Sequence, residues 1–185
     1  HDLPVPIALN TANSVKHREK HYTIDDSLPV STLQYLETLS NQKKSTTDIS
    51  SFPGKKIMFK LTQHQEKQFL QQLISMDPIF KNYTIYKSFL GMRDRSLVHE
   101  LGKKKKIHTD FLNDALVVMT YINTVGGGTN TYTERSNGEY KIVERFHNKK
   151  NRTVVFPVNE LHAAIYDLNT WPENVPYRLT LNTFL

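Results

Sequence analysis

The residues able to do chemistry in this chain fall into three short stretches of its C-terminal half. The first is His108-Thr109-Asp110, directly ahead of an apolar run. Residues two apart on an extended backbone share a face, so this spacing sets an imidazole beside a carboxylate. The second is His162, flanked by Leu161, Ala163 and Ala164 and following the strand-like run 154–158. The third is Arg178, with Thr180 and Asn182 at the alternate positions beyond it. Two imidazoles and one carboxylate hold a ferrous ion without saturating it, because three cis coordination positions stay open. A buried guanidinium within reach offers a planar fork for a second carboxylate, as an anionic 2-oxo acid requires at its far end. Thr180 adds a hydroxyl to that same carboxylate. Each residue also has a plainer reading. His108 is then a surface histidine behind a lysine run, His162 a satisfied core histidine, and Arg178 an exposed ion-pair partner of little energetic weight. His147, in a turn-like His-Asn-Lys-Lys segment, is the alternative second imidazole.

Strands must position these groups. The runs Tyr83–Leu90, Ala115–Val125, Thr129–Arg135, Glu139–Phe146, Arg152–Val158 and Tyr177–Leu185 are rich in β-branched and aromatic residues. Turn signals separate them: Gly126-Gly127-Gly128, Asn137-Gly138 and His147-Asn148. The Asn-Gly pair between two such runs predicts a hairpin. Short strands without interleaved helices argue for a sandwich or barrel. Ahead of them, Thr62 and Gln65 form a capping box for a helix through about Met76, with Leu70, Leu73 and Ile74 as its buried stripe. Lys55–Lys60 reads as a short strand, and Leu33, Leu36 and Leu39 after Pro29 as one amphipathic helix. Asn41–Ser51 reads as a loop.

Composition narrows the chemistry further. The chain has 185 residues, 38% of them hydrophobic and 23% charged, which is globular composition. It contains no cysteine, so disulfides, thiolate zinc sites, iron–sulfur clusters and a cysteine nucleophile are excluded. No apolar run is long enough for a transmembrane helix, and the N-terminus does not read as a signal peptide. The expectation is a cytoplasmic chain with no membrane partner. The net charge of +6, from 24 Lys+Arg against 18 Asp+Glu, favours acidic partners.

Taken in order, Ile107–Asp110, Met119–Asn123, Gly126–Thr129, Val154–His162 and Arg178–Asn182 resemble the 2-oxoglutarate/Fe(II)-dependent dioxygenases. The closest branch is the prolyl-hydroxylase-like one. The family order is HxD, a Tyr-containing strand, a Gly-Gly-x-Thr turn, a distal His and Arg-x-Ser/Thr. This chain supplies His108-x-Asp110, Tyr121-Ile122-Asn123, Gly127-Gly128-Thr129, His162 and Arg178-Leu179-Thr180. The resemblance implies a mainly β fold, a double-stranded β-helix of jelly-roll or cupin-like form at about 83–185, with N-terminal helices outside it. Residues 57–185 would be a single oxygenase domain, and 1–56 a polar N-terminal extension with a short helix. His108, Asp110 and His162 match the iron ligands. Arg178 matches the partner of the 2-oxoglutarate C5 carboxylate, Thr180 its hydroxyl companion, and Tyr121 a phenol that donates to the same group. The cofactors implied are Fe(II), 2-oxoglutarate and dioxygen. The activity implied is decarboxylation of 2-oxoglutarate to succinate, coupled to C–H hydroxylation of a peptidyl, amino-acid or small-metabolite substrate. Asp110, being a carboxylate, argues against a halogenating variant.

Other readings stand beside this one. Tyr121 lies in a Val-Val-Met-Thr-Tyr-Ile run where a tyrosine is also ordinary core. Gly126–Gly128 lacks the helix and lysine of a phosphate loop. Asn82-Tyr83-Thr84 and Asn151-Arg152-Thr153 fit a glycosylation pattern common by chance. Lys103–Lys106 is either a solvated loop or the basic rim of the site, steering an acidic substrate, with Arg93, Arg95 and Arg135 as possible extensions. The alternatives to a hydroxylase are an oxygenase of modified nucleobases, a non-catalytic cupin-like binding domain, and a basic nucleic-acid-binding module.

Overall fold

Along the last strand, Leu179 and Leu181 alternate with Arg178, Thr180 and Asn182, so both of its faces must be covered. In the computed structural model, which describes residues 2–42, 54–101, 107–110 and 114–185, that is where the strand lies. The described elements, in chain order, are β1 (Ser14–Arg18), β2 (His21–Ile24), α1 (Val30–Ser40), β3 (Gly54–Phe59), α2 (Gln63–Met76), a 3-10 helix (Pro78–Asn82), β4 (Lys87–Asp94), α3 (Arg95–Leu101), β5 (Leu116–Tyr121), β6 (Gly127–Glu134), β7 (Tyr140–His147), β8 (Arg152–Pro157), β9 (Leu161–Tyr166) and β10 (Tyr177–Phe184). They form a seven-stranded sheet of order β1-β2-β8-β5-β10-β4-β3 and a three-stranded sheet of order β7-β6-β9. All the strand pairings are antiparallel. The fold is mainly β, a double-stranded β-helix with helices α1 and α2 from the N-terminal part of the chain.

The large sheet separates two apolar clusters. On its outer face Leu90, Met92, Leu116, Val118, Leu179 and Leu181 pack with Leu33 and Leu36 of α1 and Phe69 and Leu73 of α2. On its inner face Phe89, Val117, Met119, Tyr121, Val154, Phe156 and Phe184 pack together with Phe146 of the small sheet. Each fully buried aliphatic or aromatic side chain in such a cluster is worth about 1.5–3 kcal/mol relative to exposure. Two covered faces therefore make β10 a rigid support for Arg178.

The Thr62–Gln65 capping box is formed in both directions, and α2 ends at Met76 as its sequence predicts. Its buried stripe is Gln65, Phe69 and Leu73, with Leu70 and Ile74 half-buried beside the outer cluster. Other expectations shift. The run beginning at Tyr83 is strand only from Lys87, and it continues to Asp94. The Ala115–Val125 run is strand only over Leu116–Tyr121. His162 lies within a strand, β9, rather than beyond one. Gly127 and Gly128 open β6 instead of forming a turn. β1, β2 and α3 carry little sequence signal for physical reasons. β1 is an edge strand with four exposed positions, β2 has four residues, and α3 has seven, too few to display a helical period. Residues 14–24 nevertheless join the large sheet through β2–β8 pairing. Lys103–Lys106 lie outside the described residues, as does most of the 41–51 loop.

Candidate metal centre and anion pocket

His108 is held by a two-way backbone bridge to His162: each amide donates to the other residue's carbonyl at 3.0 Å. The Asp110 amide donates to the Val158 carbonyl at 3.0 Å. The HxD segment thus lies alongside the start of β9 through these contacts, not as part of a longer strand. The side chains converge accordingly. His108 Nε2 is 3.1 Å from one carboxylate oxygen of Asp110, and His162 Nε2 is 3.0 Å from the other. The two imidazole centroids are 4.6 Å apart, and ligand atoms of all three residues lie within 4.8 Å of one another. Burial pushes the Asp110 carboxyl up, but hydrogen bonds from His108 and His162 outweigh it and hold the group well below the usual carboxylate range. It is an anionic group between two imidazoles. His147 ends β7 opposite Gly128 and is not in this group.

His162 is oriented from behind. Its Nδ1 donates to the Glu160 carbonyl at 2.8 Å, which orients the ring and aims Nε2 at Asp110. Phe156 of the large sheet packs against the His162 ring at 5.0 Å, so the triad sits between the two sheets. The Glu160 side chain is anchored in turn by His21 Nε2 and by the Arg18 guanidinium, which also pairs with Glu144. Glu144 accepts from Thr131 Oγ1 at 2.5 Å, and Thr131 pairs with His162 in the β6–β9 ladder. His21, Glu144 and Glu160 form a second group of possible metal ligands, but this group already holds a guanidinium. Nothing in local sequence links Arg18 or His21 to Glu160, and only the fold exposes this support.

Arg178, Thr180 and Tyr121 meet on the inner face of the large sheet. Thr180 is the register partner of Tyr121, and the Arg178 guanidinium carbon lies 5.3 Å from the centroids of both the Tyr121 and Tyr166 rings. Arg178 is 1% exposed. Its Nη1 donates to the Ile165 carbonyl at 3.2 Å, while Nε has no hydrogen-bond partner among the described residues. A buried guanidinium with an idle N–H is costly unless an anion completes it, so the residue fits a carboxylate ligand. Burial pushes the Tyr121 phenol up and keeps it a neutral donor. Its hydroxyl lies 2.9 Å from Thr129 Oγ1. Thr180 Oγ1 accepts from Asn182 Nδ2 at 3.0 Å, which places Asn182 on this face too.

Two further devices hold Arg178 in place. Asn123 brackets it by donating to the Tyr177 carbonyl at 2.9 Å and accepting from the Leu179 amide at 3.0 Å. Gly127 has φ of 95°, and a Cβ there would fall 1.9 Å from the Ile165 carbonyl oxygen that receives Arg178. Only glycine allows that approach. Ile165 is three residues beyond His162 on β9, about 10 Å of strand, so triad and guanidinium engage the same strand about that far apart.

No family model matches the chain, and no curated protein matches it in sequence. Among solved structures, AviO1 from Streptomyces viridochromogenes Tue57 superposes over 89% of this chain and 88% of its own, with a TM-score of 0.54 and 9% identity. A Pseudomonas putida prolyl-4-hydroxylase aligns over 90% and 86%, with a TM-score of 0.45 and 11% identity. At its level of identity, the likeness to AviO1 is one of backbone architecture, and it extends over most of both chains.

Proposed function

We propose that this protein is a 2-oxoglutarate- and Fe(II)-dependent oxygenase that hydroxylates a C–H bond of a small-molecule, amino-acid or peptidyl substrate. The observation that carries the reading is the pairing of the His108–Asp110–His162 convergence with a buried, incompletely bonded Arg178 that reaches the same strand, β9. His108, His162 and Asp110 would hold the metal through two Nε2 atoms and a carboxylate, a facial set with three positions left over. Arg178, with Thr180 and Tyr121 beside it, would bind the distal carboxylate of 2-oxoglutarate and so orient its 2-oxo acid end toward the triad. When bound, iron and 2-oxoglutarate supply oxidative decarboxylation to succinate and carbon dioxide coupled to hydroxylation. Phe156 packs on the His162 ring and Phe146 of the small sheet stacks on Phe156, so the His162 side of the site is walled by apolar rings.

The test is an anaerobic titration with Fe(II) and 2-oxoglutarate, followed by oxygen and a succinate assay. A visible charge-transfer absorption on binding of the 2-oxo acid to the ferrous protein, and succinate formation, are expected. Absence of both would overturn the reading.

A further inference from the structure

On the inner face of β10, Arg178, Thr180, Asn182 and Phe184 follow one another at every second position. The row runs from the guanidinium toward the triad. Phe184 is opposite Val117, and Val117 is opposite Phe156, which packs on the His162 ring. Asn182 therefore stands between Thr180 and the level of the triad, about 7 Å of strand beyond Thr180. It is 7% exposed, and Thr180 is 3% exposed. The ladder neighbours of Thr180 are Tyr121 and Gly91, and Gly91 brings no side chain.

The hydrogen bonds assign the polar atoms of this pair. Asn182 Nδ2 donates to the Thr180 carbonyl at 3.2 Å and to Thr180 Oγ1 at 3.0 Å. A carbonyl only accepts, so the nitrogen of the amide, not its oxygen, must face Thr180. One lone pair of the Thr180 hydroxyl is then taken. Its proton points away from Asn182 and has no acceptor among the described residues. Tyr121 differs, because its hydroxyl has acceptors inside the protein: Thr129 Oγ1 at 2.9 Å and the Phe146 carbonyl at 3.4 Å. Arg178 Nε, like the Thr180 hydroxyl, donates to nothing among the described residues. Two buried donors without acceptors thus share one strand face, and a buried N–H or O–H left in that state is costly. A carboxylate, which only accepts, satisfies both.

We propose that Asn182 is a positioning residue for the co-substrate. Its amide fixes the Thr180 hydroxyl as a donor, so that Arg178 and Thr180 together offer protons to the distal carboxylate. It acts through Thr180 and need not touch the ligand itself. A 2-oxo acid with an apolar end leaves both donors unpaired and is rejected for that reason. The identity of the ligand rests on the oxygenase reading; the donor state of Thr180 rests on the hydrogen bonds alone.

The test is a double-mutant cycle, read by calorimetry on protein loaded with Mn(II). Thr180→Val and Asn182→Leu keep the side-chain shapes and remove the polar groups. Thr180→Val should weaken 2-oxoglutarate about tenfold or more, as for a lost hydrogen bond to a charged group. Asn182→Leu should weaken it about threefold or more, and the double variant should bind no worse than Thr180→Val alone. 2-Oxopentanoate, which lacks the distal carboxylate, should bind both single variants within about twofold of the wild type, with Mn(II) affinity unchanged. If Asn182→Leu does not fold, Asn182→Asp carries the cycle. It keeps the shape but accepts the Thr180 proton, so it should cost more in the wild-type background than beside Thr180→Val. Effects that multiply in the double variant, no loss in either single variant, or an equal loss for 2-oxopentanoate would overturn the proposal. If 2-oxoglutarate does not bind the wild-type Mn(II) protein, the oxygenase reading fails. The same cycle is then run with glutarate on metal-free protein. Independent effects there, or no saturable glutarate binding, overturn the role of Asn182 as well.

Discussion

His108, Asp110 and His162 bring three possible ligand atoms within 4.8 Å of one another, and so do His21, Glu144 and Glu160. The second group has more carboxylate and is better buried, with His21 at 2% side-chain exposure. By donor count alone it is the stronger cation trap. Yet Arg18 donates to both of its glutamates, so part of its negative charge is already offset from within the chain. The contrast separates two uses of one set of residue types. An internal guanidinium makes the second group a brace, and through the Glu160 carbonyl that brace orients the first group's His162. Counting His, Asp and Glu is thus a poor guide to a metal site unless the cations present are counted too.

The contrast can be broken by substitution, and the largest effect is expected at the first group. Asp110→Ala should lower Mn(II) affinity by more than about 100-fold, the upper end for loss of even an outer partner. Calorimetry reads this directly, and an unchanged affinity would move the metal elsewhere. Arg178→Leu should weaken 2-oxoglutarate by about 100-fold, from roughly 3 kcal/mol for a charge-assisted pair, with Mn(II) affinity within twofold. Loss of metal in that variant would mean that the guanidinium supports the triad instead of the co-substrate.

Smaller effects probe the brace. Glu160→Gln leaves all three ligands in place but loosens the anchored carbonyl behind His162. Mn(II) affinity should fall about 10-fold, and Glu160→Asp should recover part of it. Removing Arg18 with Arg18→Met leaves two glutamates facing each other. Discounted for its partial exposure, this costs about 1–2 kcal/mol, or roughly 2–8 °C in Tm. The same variant should gain a second Zn(II) equivalent at His21, Glu144 and Glu160, visible as a change in stoichiometry. A stoichiometry still at one would show that the brace is more than a blocked site.

The smallest expected effect lies on the outer rim, where Arg152 Nε donates to Asp25 at 2.7 Å. That hydrogen bond is the main cause holding the Asp25 carboxyl below its usual range. A depressed carboxyl stabilises the fold above its unfolded pKa of about 3.9, and the contribution is lost as pH falls through the folded value. Asp25→Asn should therefore remove up to about 1 kcal/mol at pH 7 and less at pH 2. Denaturant melts at the two pH values check the difference.

Much of this was legible in the chain itself. His108, Asp110, His162, Tyr121, Arg178 and Thr180 stand out by residue type and order, and the structure brings them into two adjoining groups. The Thr62–Gln65 cap and the alternation along 177–184 were also readable, because local hydrogen bonding and two-residue periodicity are properties of sequence. Other features were not. β9 reads weakly, since Ala163 and Ala164 are poor strand formers. Its place is set by pairing with β6.

The sequence by itself determined the donor set, the alternation that turns Arg178 inward, and the absence of thiolate chemistry. All of these follow from residue identity and from geometry over a few positions. Tertiary structure alone decided how His162, which the motif order already favoured over His147, meets His108 and Asp110. It also decided that Arg18 offsets part of the rival cluster's charge, and that Arg178, Thr180 and Tyr121 meet on the inner face of the large sheet. Those relations join residues tens to more than a hundred positions apart. Antiparallel register fixes which side chains meet, and no stretch of sequence contains that information locally.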